Sequence, residues 1–220
     1  MPDLNITTLS ITGYDTNPLP NRFFRQAGSA NTLAVLFPGL RYSCDMPLLF
    51  YPFKLLLERG AEVLQVRADY TLTSYPSLPP DERAAWLAAD AQAAVQAARR
   101  QGKYTRLVLI GKSIGTVSLA SLAPHERSAI SIWLTPLLRN PQVVAAAEQN
   151  PGAALFVAGT ADDLYSAAAL NRIHTATQAE TALVEGGDHS LEIAGNFFAS
   201  LRALEQVMRA IAGFLDRQGI

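Results

Sequence analysis

Five residues, Gly111-Lys112-Ser113-Ile114-Gly115, have the spacing G-x-S-x-G. A serine flanked at two residues' distance by glycines suits a sharp turn from strand to helix. The chain supplies both flanks, an apolar run over 107–110 and a helix-forming stretch from 113 towards 123. Such a turn holds the serine in a strained backbone conformation, and side chains at Gly111 or Gly115 would collide with the turn or the adjacent strand. The hydroxyl would then stand at a helix N-terminus, where a developing anion is favoured. The chemistry this suits is nucleophilic attack. G-K-S also ends the phosphate-binding loop G-x-x-x-x-G-K-S/T. That loop needs glycine where this chain has Arg106, and loop residues where it has strand, so it is excluded. The plainer alternative, a serine that merely starts a helix, is opposed by the residues that accompany it.

A serine hydroxyl needs an adjacent base. The chain has three histidines. His125 lies at the far end of the helix after Ser113, and His174 lies inside a later helix. His189, in Gly186-Gly187-Asp188-His189-Ser190, sits between the last strand and the last helix, where a glycine-rich loop lets an imidazole reach Ser113. It is the candidate base. A carboxylate should hold the imidazole tautomer. Gly159-Thr160-Ala161-Asp162-Asp163 provides two. Asp162, on the turn leaving the strand, is preferred; Asp163 suits a helix cap better. Asp188 is disfavoured because adjacent loop side chains point apart. Two backbone N–H groups would receive an oxyanion: that of Ile114, after the serine, and that of Leu40 in Phe37-Pro38-Gly39-Leu40-Arg41-Tyr42, where Gly39 permits unusual backbone geometry. Arg41 and Tyr42 are candidates to bind a substrate carboxylate or aromatic group, with loop shaping as the competing role. Tyr70 is a candidate wall residue. Lys112 is expected to point away from Ser113 and to add positive potential. Cys44 is expected to pack rather than react.

These residues need a scaffold that gathers strand ends. Residues 4–11 and 22–26 read as an antiparallel hairpin across a turn-rich segment. Strands are then expected over 32–37, 62–66, 106–110, 129–134, 153–158 and 181–184. Helices are expected over 47–59, with Gly60 as C-cap, over 81–100, with Asp81 as N-cap, and over 142–149, 167–177 and 198–215. Apolar strands alternating with helices imply a mostly parallel sheet covered on both faces. Active sites of such sheets lie at the carboxyl ends of the strands, where every candidate residue falls.

Bulk properties narrow the class. The 220 residues suit a single domain over 1–220, and a formal charge of -1 argues against a nucleic-acid partner. One cysteine excludes an internal disulfide and a cysteine-rich metal site. No run approaches the roughly 20 apolar residues of a membrane helix. Met1-Pro2-Asp3-Leu4-Asn5 lacks the basic and apolar regions of a signal peptide, so a cytoplasmic location is expected. The oligomeric state is not readable.

Taken in order, Phe37-Pro38-Gly39-Leu40, G-K-S-I-G at 111–115, Gly159 to Asp163 and Gly186 to His189 resemble the motifs of the α/β-hydrolase superfamily. The run 38–47 looks like the matching loop in small bacterial hydrolases of the dienelactone-hydrolase-like type. The resemblance implies an α/β-hydrolase fold: an eight-stranded, mostly parallel sheet with an N-terminal antiparallel hairpin, helices on both faces and little or no cap. It also implies an acyl-enzyme mechanism on an ester, thioester or amide, with Ser113, His189 and Asp162 as triad and neither metal nor organic cofactor. Two departures bear on substrate. Pro38-Gly39 replaces the His-Gly of many lipases, and 135–152 is too short for a lid, so a small or exposed acyl substrate is expected. Dienelactone hydrolases carry cysteine where this chain has Ser113. A non-catalytic binding protein, and a peptidase or acyl transferase with the same triad, are the alternatives.

Overall fold

A computed structural model describes residues 4–220. Met1 to Asp3, within the segment where no leader is expected, lie outside the described residues. Strands β1 (Asn5–Thr7), β2 (Asn21–Arg25), β3 (Thr32–Phe37), β4 (Glu62–Val66), β5 (Arg106–Lys112), β6 (Ile130–Leu134), β7 (Ala154–Gly159) and β8 (Glu180–Val184) form one sheet in the order β1-β2-β4-β3-β5-β6-β7-β8. β1 pairs with β2 and β2 with β4 antiparallel; every later pair is parallel. Between the strands run α1 (Pro47–Glu58), α2 (Pro80–Arg99), α3 (Gly115–Leu122), α4 (Pro141–Glu148), α5 (Ala167–Thr177) and α6 (Phe197–Arg217).

The continuous apolar runs of the central strands follow from burial on both faces. Leu33, Val35, Leu107 and Leu109 pack with residues of α2, α3, α4 and α5. Their neighbours Ala34, Leu36, Val108 and Ile110 pack with α1 and α6. No face is left to water, so alternation is absent.

Three expectations change on contact with the structure, and one holds. β1 is shorter than 4–11 because Asn21 takes the ladder's place: its side chain accepts from the Leu9 N–H and donates to the Leu9 and Leu19 carbonyls. Asp81 is not the cap of α2. Pro79 holds that position without a side-chain bond, and Asp81 and Glu82 lie in the first turn, where their charges favour the helix dipole. Gly60, at φ 79°, ends α1 as expected, with the Gly60 and Ala61 N–H groups donating to Leu57 and Leu56. β5 runs two residues past Ile110, because Gly111 and Lys112 pair with Trp133 and Leu134 of β6. Between β6 and β7 the chain carries only α4, so no cap covers the strand ends there.

Candidate active site

Ser113 follows the last residue of β5 at φ 55°, a left-handed conformation that a non-glycine residue rarely holds. Its own N–H donates to the Leu134 carbonyl at 3.0 Å, while its carbonyl accepts from the Thr116 N–H and hydroxyl. The flanking glycines are required by close approach. A Cβ on Gly111 would lie 2.4 Å from the Gly115 oxygen, and one on Gly115 would lie 2.5 Å from the Phe37 oxygen.

The Ser113 hydroxyl lies 2.8 Å from His189 Nε2, and His189 Nδ1 lies 2.7 Å from Asp162 Oδ2. A carboxylate accepts only, so Nδ1–H donates to Asp162 and Nε2 is left to accept from Ser113. The Asp162 side chain is 3% exposed and its second oxygen accepts from the Leu164 N–H at 2.9 Å. The loops carrying acid and imidazole are fastened to each other: the Ala161 N–H donates to the Gly187 oxygen and the Gly186 N–H to Thr160 Oγ1. A Cβ on Gly159 would come within 2.1 Å of the Gly187 oxygen, so glycine is needed for that contact. Asp163 is exposed. Asp188 accepts from the Ser190 and Glu192 N–H groups and shapes the histidine loop. His174 bonds the Ala179 carbonyl, remote in sequence and sheet position from the serine turn.

Leu40 sits in a tight turn closed by hydrogen bonds between Gly39 and Tyr42. Among the described residues the Leu40 and Ile114 N–H groups donate to nothing, so both remain available to a developing negative charge. Gly39 is needed for a different reason from the one expected. Its φ is not left-handed; a Cβ there would lie 2.9 Å from Tyr42 Cβ and 3.1 Å from Lys112 Cδ.

The substrate-binding candidates separate. Arg41 is exposed and, with Leu40, lines a cavity of about 340 Å³. Tyr42 lines it too, but its hydroxyl accepts from the Leu48 N–H at 2.9 Å at the start of α1, and burial pushes its pKa up to about 12. That bond braces the loop against α1. Tyr70 is not available to a substrate's polar groups either. It is 3% exposed and donates to Asp90 at 3.0 Å, within a cluster with Tyr75 and Trp86 against which Leu40 and Ile114 pack. Cys44 packs as expected: it is 1% exposed, donates to the Val66 carbonyl, and burial raises its thiol to about 12.

Two further residues stand out beside Ser113. Lys112 is 3% exposed, with its ammonium 4.7 Å from the centre of the Tyr42 ring. Burial lowers its pKa to about 8, opposed by the charges of Asp162 and Asp188. Thr135, directly after Leu134, has φ 42°, is wholly buried, and has a hydroxyl without a partner. Among the described residues no group of three His, Cys, Asp or Glu is placed to hold a metal ion, and no helix is long and apolar enough to cross a membrane.

Residues 51–216 match the model of an alpha/beta hydrolase domain. The chain belongs to the alpha/beta hydrolase family. No curated protein sequence matches it. Solved structures share its fold at low identity. A dienelactone hydrolase-like promiscuous phosphotriesterase from metagenomic libraries superposes with a TM-score of 0.70 at 15% identity, over 96% of this chain and 98% of that one. Est1E from Butyrivibrio proteoclasticus, solved with ferulic acid bound, gives 0.69 at 15%, over 94% and 98%. An esterase from Pyrococcus furiosus gives 0.68 at 14%, over 97% and 93%.

Proposed function

We propose that this alpha/beta hydrolase is a serine hydrolase that cleaves a small carboxylic ester or thioester through an acyl-enzyme. The observation that carries the reading is the unbroken chain Asp162–His189–Ser113, at 2.7 and 2.8 Å, beside two unengaged N–H groups. His189 Nε2 takes the Ser113 proton as Oγ attacks the carbonyl carbon. The oxyanion is received by the Leu40 and Ile114 N–H groups. The imidazolium, held by Asp162, returns its proton to the leaving alcohol or thiol. Water then attacks the acyl-enzyme with His189 again as base. The esterase names of the structural neighbours support ester substrates. Arg41, exposed in the lining of the 340 Å³ cavity and without an ion pair to a described residue, is placed to receive an anionic substituent.

A fluorophosphonate probe tests this reading. The expected result is one adduct on the Ser113 peptide, absent from Ser113→Ala and His189→Ala, together with hydrolysis of short aryl esters by wild type alone. A folded wild-type protein that takes no label and cleaves no ester would overturn it.

A further inference from the structure

Lys112 ends β5, and its side chain packs against the loop after β3. Its stem passes under Gly39, so close that a Cβ there would lie 3.1 Å from Lys112 Cδ. Its ammonium ends 4.7 Å from the centre of the Tyr42 ring. Gly39 and Tyr42 are the two ends of the turn that presents the Leu40 N–H. The residue preceding Ser113 therefore touches both ends of the turn that would hold the oxyanion. On its other side the ammonium feels the carboxylates of Asp162, after β7, and Asp188, after β8. It makes no hydrogen bond with a described residue. A cation whose stem is buried, and which meets a ring in place of a hydrogen bond, gains the fold little.

We propose that Lys112 is a positioning residue for the reaction, whose positive charge holds the Leu40 turn against Ser113 through the Tyr42 ring and balances the two aspartates of the neighbouring loops. The proposal rests on the serine-hydrolase reading. A cation is attracted to the face of an aromatic ring, and a neutral amine is not. Loss of the proton would release Tyr42 and leave the Asp162 and Asp188 charges without their counter-charge. Of the two groups in contact here, Tyr42 is raised to about 12 and Lys112 lowered to about 8, so Lys112 loses its charge on mild alkalinisation well before Tyr42 gains one. The stability effect has the opposite sign. A lysine whose pKa falls from 10.5 unfolded to about 8 folded makes the fold more stable as pH rises through that interval. Activity and stability should therefore diverge between about pH 8 and 10.5.

The test is the pH dependence of aryl-ester turnover and of fluorophosphonate labelling in wild type and Lys112→Met, which keeps a stem of similar shape without the charge. Wild-type kcat should decline above neutrality with a midpoint near 8. At neutral pH, Lys112→Met should lose about tenfold in kcat with KM within about twofold. Its profile should lack the decline and meet the wild-type curve at high pH. Its melting temperature at neutral pH should equal or exceed that of wild type. Lys112→Met with wild-type kcat at every pH would overturn the proposal, as would a wild-type profile that stays flat to about pH 9. The flat profile decides the matter even if the variant does not fold. A wild type that takes no label overturns the hydrolase reading as well, whereas labelling at the same rate in both proteins removes Lys112 alone.

Discussion

Two buried polar clusters meet at Leu40 and Ile114, and their polar atoms are satisfied to different degrees. Behind these residues Asp90, 4% exposed, accepts from the Tyr14 N–H, the Tyr70 hydroxyl and the Trp86 indole at 2.8, 3.0 and 3.1 Å. The bonds tie the N-terminal segment and the loop after β4 to α2, and Tyr14 stacks on Trp86. In front, at the serine turn, polar groups stay open. Among the described residues the Leu40 and Ile114 N–H groups have no acceptor, the Thr135 hydroxyl has no partner, and the Lys112 ammonium has a ring instead of a hydrogen bond. Ser113 and Thr135 both hold left-handed backbone. A cluster with matched donors and acceptors lowers the energy of the resting fold. One with strain and unmatched groups does not, and persists where those groups meet a transient charge.

The strongest challenge to that contrast is Asp162→Asn set against Asp163→Asn. The first removes the carboxylate that holds the His189 tautomer and should lower kcat for an aryl ester by about 10⁴-fold. The second alters an exposed side chain and should leave kcat within about twofold. Melting temperatures should barely separate the pair. If Asp163→Asn were the damaging change, the acid would move by one position and the 2.7 Å contact to His189 would lose its catalytic meaning.

Asp90→Leu probes the other cluster and should reverse the pattern. It leaves three buried donors without an acceptor, which should cost about 3 kcal/mol or more. Denaturant unfolding should show the loss, while turnover per folded molecule should stay near wild type. Lower turnover at unchanged stability would make Asp90 part of the site and dissolve the contrast. The carboxyl's own titration sharpens this point. Burial raises the Asp90 pKa, so the contribution of its protonated form is present below the ordinary aspartate value and fades as pH rises through the raised one. Acidification should therefore not weaken this cluster through Asp90.

What could be read from the sequence was what local signals encode. β3 over Thr32–Phe37 and α5 over Ala167–Thr177 match expectation residue for residue, because turn residues or a serine cap punctuate their apolar patterns. Gly111, Gly115 and the order of Ser113, Asp162 and His189 were legible because a strand-to-helix turn tolerates few residue types. The partners of the Tyr42 and Tyr70 hydroxyls, Leu48 and Asp90, were not legible because they come from packing that no local pattern announces. Asp90 did leave a trace, as a lone acid amid the alanines that follow Trp86, four residues on along the same helix. The depth of Lys112 was hidden because it depends on how far β5 pairs with β6.

The smallest effect is expected from Thr135→Val, which asks whether the open hydroxyl burdens the fold as the contrast requires. Thr135 is wholly buried, and valine matches its shape while removing a hydroxyl that has no partner among the described residues. The left-handed backbone at φ 42° remains occupied by a β-branched residue, so that strain is the same in both proteins. Only the desolvated hydroxyl differs. Its removal should therefore stabilise by about 1 kcal/mol, a rise of roughly 2–4 °C in Tm for a chain of this size. A fall in Tm would mean that the hydroxyl is bonded in the resting protein, and Thr135 would then belong with Asp90. A rise in Tm accompanied by lower kcat would place the hydroxyl among the groups whose bond forms only during turnover, the strongest form of the contrast.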